Sequence, residues 1–226
     1  MAENAAAAKA ADRKGAARKS SDERRDEIVR ATLRLVAAKG FAGVTLRDVA
    51  AEVGVVHGLI RHYFASRDEL VAEAFDFAVT TELERDRRLL DDLAPVAALA
   101  GWLAATNENH YLVWIDAWSE APRNAALAAA LARHHDDCER ILAGVIERVV
   151  DAGLGASADP AADSRLLTAV ADGMAVQHHV VGIVDIDAAN DIVFGVAERQ
   201  LGLEPGILAR ANPVPARGQW AETPFR

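Results

Sequence analysis

Residues 45–64 read TLRDVAAEVGVVHGLIRHYF, and two short helical patterns meet within them at Gly54-Val55. The first places Leu46, Val49, Ala50 and Val53 on one face. The second turns Ile60 and Phe64 inward and leaves His57, Gly58, Arg61 and His62 outward. Two helices joined by a short turn containing glycine make a helix-turn-helix, whose second helix enters the major groove of duplex DNA. The outward set suits that task. It offers donors, a cation and a residue without a side chain where backbone must approach closely.

Working outward, the same grammar repeats. Ser20-Ser-Asp-Glu23 is a capping box that opens a first helix. Ile28, Ala31, Thr32, Leu35 and Val36 follow at i, i+3, i+4, i+7 and i+8, the buried stripe of an amphipathic helix, and Gly40 stops it. Thr45 with Asp48, and Ser66 with Glu69, repeat the start signal for a second and a fourth helix. The fourth is expected over about Arg67 to Leu90, with Leu70, Ala74, Phe77, Ala78 and Thr81 on one side.

With these residues in view, positions 24–75 resemble the DNA-binding domain of TetR-type bacterial regulators. The resemblance rests on Gly40-Phe41, Val44 to Ala50, Gly54-Val55, His62-Tyr63-Phe64 and Ser66 to Leu70. The wording from Gly54 to Phe64 is most similar to the choline-responsive betaine-pathway subgroup. Farther on, the similarity is one of pattern, through Trp118-Ser-Glu, a long helix after Pro122 and Asp172-Gly173-Met174. Two positions depart from the family pattern. Val56 stands where a small hydroxyl residue usually caps the recognition helix, and losing such a cap costs about 1 kcal/mol. Arg61 stands where an aromatic is common, which implies a different operator.

The resemblance implies an all-α chain: a helix-turn-helix domain over 20–66, a helical ligand-binding and dimerisation bundle over 67–203, a basic arm over 1–19 and a Pro-rich tail over 204–226. The arm's Lys9, Arg13, Lys14, Arg18 and Lys19 either track phosphates or form a solvated tail. Prolines 205, 213, 215 and 224 argue against regular helix in the tail.

Charge supports the division. The 226 residues carry a net charge of −9, yet residues 1–67 hold 13 Lys/Arg against 8 Asp/Glu, and the remainder holds 12 against 26. A basic head on an acidic body is the asymmetry of a nucleic-acid reader joined to a separate sensing domain. A single cysteine excludes an intrachain disulfide framework and points to the cytoplasm. The longest apolar run, Leu93 to Ala105, falls short of the roughly 20 residues of a membrane span.

For positioning on DNA the expected residues are Thr45, Arg47, Tyr63 and Arg67; a cation in the first turn of the fourth helix suits a phosphate better than the helix dipole. For reading they are Val56, His57, Arg61 and His62, with Gly58 allowing close approach. Val56 suits a thymine methyl, and Arg61 either a guanine edge or a phosphate. One short helix binds too little surface alone, so a homodimer on a pseudo-palindromic double-stranded operator is implied. By resemblance the last two helices pair the copies. Leu166, Val170, Met174, Val193 and Val196 serve either that contact or the chain's own core.

An inducer pocket is implied in the body. The candidates are Trp102, His110, Tyr111, Trp114, Trp118, Met174, Gln177 and His178, whose alternative role is plain core. Aromatic faces hold cations at about 0.5–2 kcal/mol each, so the expected inducer is a cationic amine, with Glu108 and Asp116 adding negative charge. His134 and Cys138 share a face of a long helix, but two ligands do not make a zinc site. No phosphate loop or nucleophile–base–acid set is present, so neither cofactor, metal nor catalysis is expected. The reading that follows is a ligand-responsive repressor; its alternatives are an activator of the same fold and a helical interaction module.

Overall fold

The computed structural model describes residues 20–104 and 110–213, without the side chain of His110, so the basic arm, Glu108 and the last thirteen residues lie outside the described residues. The described residues are helical, with no strand among them. In chain order they form α1 (Ser21–Gly43), α2 (Leu46–Val53), α3 (His57–Tyr63), α4 (Arg67–Asp91), α5 (Pro95–Leu103), α6 (His110–Glu120), a 3₁₀ turn (Ala121–Arg123), α7 (Ala125–Asp151), α8 (Pro160–Val176), a π turn (Gln177–Val181), α9 (Ile186–Leu201) and α10 (Ile207–Ala211). None is long and apolar enough to cross a membrane.

The starts are set by the signals in the sequence. Ser20 and Glu23 cap α1 reciprocally, as Thr45 and Asp48 cap α2. Ser66 accepts the Glu69 N–H at the head of α4. Lys39 and then Thr45 hold the Asp48 carboxyl down at about 2. Gly40 breaks α1 with φ 72° and ψ 167°, and Gly54 turns α2 into α3 at φ 73°. Only glycine adopts that half of φ/ψ space without strain.

The head and the body share one core. Ile28, Leu33 and Val36 of α1, Val49 of α2, Ile60 of α3 and Phe64 close around Leu70 and Phe75 of α4, and the same cluster continues to Val113, Ala117 and Leu127. Phe75 is its hinge pin. The ring meets Phe41 edge-on at 6.1 Å and Trp114 at 5.3 Å. The single apolar stripe expected on α4 is therefore too narrow. Thr81 is exposed and Phe77 only half-buried, whereas Val71, Phe75, Val79 and Leu83 are buried, because α1 packs on one side of α4 and α7 on another. A second cluster joins α5, α7, α8, α9 and α10.

Of the two roles open to the apolar residues of the last helices, Val193 takes the chain's own core, at 1% exposure. Leu166 is exposed, while Val170, Met174 and Val196 pack half-buried on the second cluster. α8 leaves α geometry after Val176 and continues as the π turn, with Gly182 at φ 66°. The described part of the tail, 204–213, is more regular than its prolines suggest. A five-residue helix fits between Pro205 and Pro213, because Glu198 receives the N–H groups of Gly206 and Leu208 at 2.8 and 3.0 Å.

Gly40 sits against α6. A Cβ built there lies 3.0 Å from Asp116 Oδ2, whereas one built at Gly54 meets nothing within 4 Å. Gly40→Ala is therefore expected to cost about 2–3 kcal/mol, from left-handed strain plus the clash, and Gly54→Ala about 1 kcal/mol, from strain alone. Urea denaturation of the two variants checks the order.

Candidate DNA-reading face and ligand cavity

The reading helix α3 is short, so the scaffold must hold it. Ile60 and Phe64 are fully buried beneath it. From α1, the Arg25 guanidinium lies 4.4 Å over the Phe64 ring. The same group donates to the Tyr63 carbonyl at 2.9 Å and grips Glu73 of α4 through two nitrogens. Arg25 thus pins the C-terminal end of α3 to two longer helices. Its role was missed in the sequence, where it reads as one more charge in a basic stretch.

What α3 offers outward agrees with its sequence pattern. Val56, Gly58, Arg61 and His62 are exposed and His57 is half-exposed. Arg47 of α2 is exposed beside them. Val56 is 76% exposed, occupies the N-cap and makes no side-chain cap. Arg61 and His62 lie in the last turn, where positive charge suits the helix dipole. Tyr63 is half-buried, edge-on to His62 at 5.3 Å.

Two of the expected phosphate contacts are otherwise employed. The Thr45 hydroxyl and N–H both donate to Asp48 Oδ2, at 2.7 and 2.9 Å, so its donors serve the cap. Arg67 does not face outward. Its guanidinium donates to the carbonyls of Val44 (3.0 Å) and Phe41 and to Glu120 of α6 at 2.9 Å. The expectation of a phosphate-facing Arg67 overlooked these carbonyls at the end of α1, which accept from the guanidinium. Glu120, held by Arg67 and then by Arg123, keeps its carboxyl below the usual range despite burial.

Arg67 and Glu120 form half of a joint. In the other half, Asp116 of α6 accepts the Phe41 N–H at 2.6 Å. Asp116 was expected to face a ligand; the structure commits it to the head instead. The opposite side of α6 faces a cavity of about 180 Å³, well below the roughly 300–1,000 Å³ of sites for drug-sized ligands. Trp102, Tyr111, Trp114 and Trp118 line it, as the sequence led us to expect. Met174, Gln177 and His178 do not. The face of α8 turned to the cavity carries Thr168, Ala171, Asp172 and Ala175, at i, i+3, i+4 and i+7, which leaves Met174 on the second core. Gln177 and His178 belong to the π turn, where His178 Nδ1 lies 2.9 Å from the Val184 carbonyl oxygen.

The sequence pattern did not single out the cavity's charged lining. Glu82 and Asp86 come from α4, Asp172 from α8 and His135 from α7. Burial pushes the Asp172 carboxyl up to about 6, His135 opposing the rise and Glu139 adding to it. Burial likewise raises the Cys138 thiol to about 12, so it stays protonated and inert. Helical spacing alone flags Glu82 and Asp86 as a one-turn pair, but only packing brings them to the same cavity as Asp172. Among the described residues no group of three His, Cys, Asp or Glu side chains is placed to hold a metal.

A helix-turn-helix head clamped to an all-helical body with an acidic, aromatic cavity is the class of structure these residues define. Residues 28–74 match the family model described as bacterial regulatory proteins of the tetR family, and residues 95–202 match that of the BetI-type transcriptional repressor C-terminal domain. The chain belongs to the TetR family of bacterial regulators. It is 31% identical over 116 residues to the HTH-type transcriptional regulator BetI of Burkholderia mallei, covering 51% of this chain and 46% of that one. It is 29% identical over 109 residues to the transcriptional repressor KstR2 of Mycobacterium tuberculosis, covering 46% and 54%. The chain spans between 25% and 54% of the length of these and other curated relatives it matches. In fold it is similar to a transcriptional regulator from Saccharomonospora viridis crystallised in complex with choline, with TM-score 0.70 and 22% identity over 80% of this chain and 98% of that one. These relatives are transcriptional regulators, not enzymes.

Removing Arg67 leaves the buried Glu120 with Arg123 as its remaining cationic partner and takes a donor from the carbonyls of Val44 and Phe41. Arg67→Ala is expected to lower the unfolding free energy by about 2–3 kcal/mol. The salt dependence of duplex binding is expected to stay unchanged, because the guanidinium donates to Val44, Phe41 and Glu120, whereas a phosphate contact would add about one to that slope.

Proposed function

We propose that the chain is a homodimeric, ligand-responsive repressor that acts in the cytoplasm, reads a pseudo-palindromic operator through α3 and releases it when a small cationic amine enters the cavity. The observation that carries the DNA reading is the outward α3, with its apolar side anchored by Ile60 and Phe64 and its exposed side built from Val56, Gly58, Arg61 and His62. The choline held by the structural neighbour and the BetI-type match support a cationic ligand. So does the cavity, where Asp172 lies among indole rings, a setting in which a cation gains from both ring faces and a counter-charge.

The second copy covers the apolar surface left by the last helices. Leu166 of α8, Val180 and Val181 of the π turn, Ile183 after it and Ile192 of α9 are all exposed. Dimerisation through them sets two α3 helices at half-sites about one DNA turn apart, or a multiple of it.

Helix α6 is the transmitting element together with α4. Tyr111, Trp114 and Trp118 line the cavity, while Asp116 and Glu120 hold Phe41 and Arg67 at the head. A ligand that fits only one position of α6 biases the spacing of the two heads. Shifting a 1:99 population to 99:1 requires about 5.5 kcal/mol of differential affinity.

Gel shift against the DNA flanking the chain's own gene tests the first part. Specific, salt-sensitive retention is expected, with loss of most affinity in Arg61→Ala/His62→Ala; no retention on any duplex overturns the proposal. For the cavity the pH sign is determined. Asp172 must be ionised to attract a cation, so amine affinity should fall as pH drops through about 6. A carboxyl whose folded pKa is raised stabilises the fold below its unfolded value and loses that contribution as pH climbs through the folded one. Asp172→Asn is therefore expected to stabilise the ligand-free protein near neutral pH by up to about 3 kcal/mol while weakening amine binding about tenfold, seen in thermal unfolding with and without choline.

A further inference from the structure

The two ends of the reading helix are held differently. α3 runs only seven residues, and Val56 at its N-cap supplies no side-chain hydrogen bond. By backbone approach α3 leans chiefly on α2. Its far end is tied to α1 and α4. The carbonyl of Tyr63, the last residue of α3, accepts from Arg25 Nη1 at 2.9 Å. Just beyond, the Ala65 N–H donates to Glu69 Oε2 at 2.8 Å. The tethered end is the one that carries Arg61 and His62.

Arg25 divides its guanidinium among three partners. Nε donates to Glu73 Oε1 at 2.6 Å and Nη2 to Glu73 Oε2, a two-pronged pair that fixes the plane of the group. That plane lies 4.4 Å over the Phe64 ring, and the remaining nitrogen reaches the Tyr63 carbonyl. A rigid planar fork meets all three demands at once; a lysine ammonium, a point charge on a flexible stem, does not. The side chains of Arg25 and Glu73 are 36% and 32% exposed, and ion pairs this open contribute little to stability. Geometry explains the arrangement better than stability does. Glu73 belongs to α4, so the sequence of contacts from Glu73 through Arg25 to Tyr63 sets α3 relative to the helix shared by head and body. Phosphate contacts hold a protein on any duplex, whereas base edges are read only by side chains that arrive in the right orientation.

We infer that Arg25, anchored by Glu73, is a positioning residue for operator reading: it fixes the tilt of α3 and so governs discrimination between sequences, not the general attraction to DNA. This rests on the DNA-reading proposal above and deepens it.

Fluorescence anisotropy of the full chain on two duplexes, at one fixed salt concentration, tests this. One duplex is the DNA flanking the chain's own gene; the other is a shuffled duplex of the same length and composition. Arg25→Lys keeps the charge and Glu73→Gln keeps the shape. Each is expected to weaken binding to the own-gene duplex about tenfold and to change binding to the shuffled one less than about twofold. The double variant should lose little more than the weaker single one, because both substitutions break one sequence of contacts. Thermal unfolding establishes that each variant is folded at the assay temperature, with a midpoint close to the parent's. Own-gene binding unmoved by Arg25→Lys overturns the positioning role. So does an equal loss on both duplexes, the mark of a direct phosphate contact, and so do single losses that multiply in the double variant. In each of these cases the parent still prefers its own-gene duplex and the DNA-reading proposal stands. A parent that prefers neither duplex overturns both.

Discussion

The whole arrangement depends on one joint, where two carboxylates on a single turn of α6 hold the last turn of α1 and the first residue of α4. Asp116 takes the Phe41 N–H, and Glu120 takes Arg67, which itself closes the carbonyls of Phe41 and Val44. The kink at Gly40 exposes those backbone groups, and buried backbone groups must find partners. A helix end thus becomes the attachment point of the head. The same helix lines the cavity with Tyr111, Trp114 and Trp118. One helix thus carries both the aromatic lining of the cavity and the carboxylates that hold the head.

The cavity and the head are electrostatic opposites, and this explains how one acidic chain can approach DNA. The charge of the body is partly spent inward, on Glu82, Asp86 and Asp172, while the exposed set on the head includes Arg47, Arg61 and His62. Buried negative charge is destabilising until a cation joins it. Holding the Asp172 carboxyl near 6 costs folding free energy at neutral pH.

Much of the fold was legible because its signals are local. Capping residues at Ser20, Thr45 and Ser66, left-handed turns at Gly40 and Gly54, and the alternation of apolar and polar faces each act within a few residues. The readings that failed concern contacts far apart in the chain. Arg67 looked outward because its partners lie 23 to 53 positions away. Asp116 looked like a ligand group because its acceptor role is played to a backbone 75 positions earlier. Phe75 was passed over because a helix packed on two sides has no single stripe, and Met174 was assigned to the cavity because helical phase relative to a void has no sequence signature.

By itself, then, the sequence determined the helices, the turn between α2 and α3 and the outward identity of Val56, Arg61 and His62, since caps, glycine dihedrals and helical periodicity are properties of short segments. Only the tertiary structure decided that Arg67, Asp116 and Glu120 bind the head to the body, and that Glu82 and Asp172 line one aromatic cavity. The physical reason is that the partner of a charge is set by which helices pack together, and packing is a property of the assembled chain.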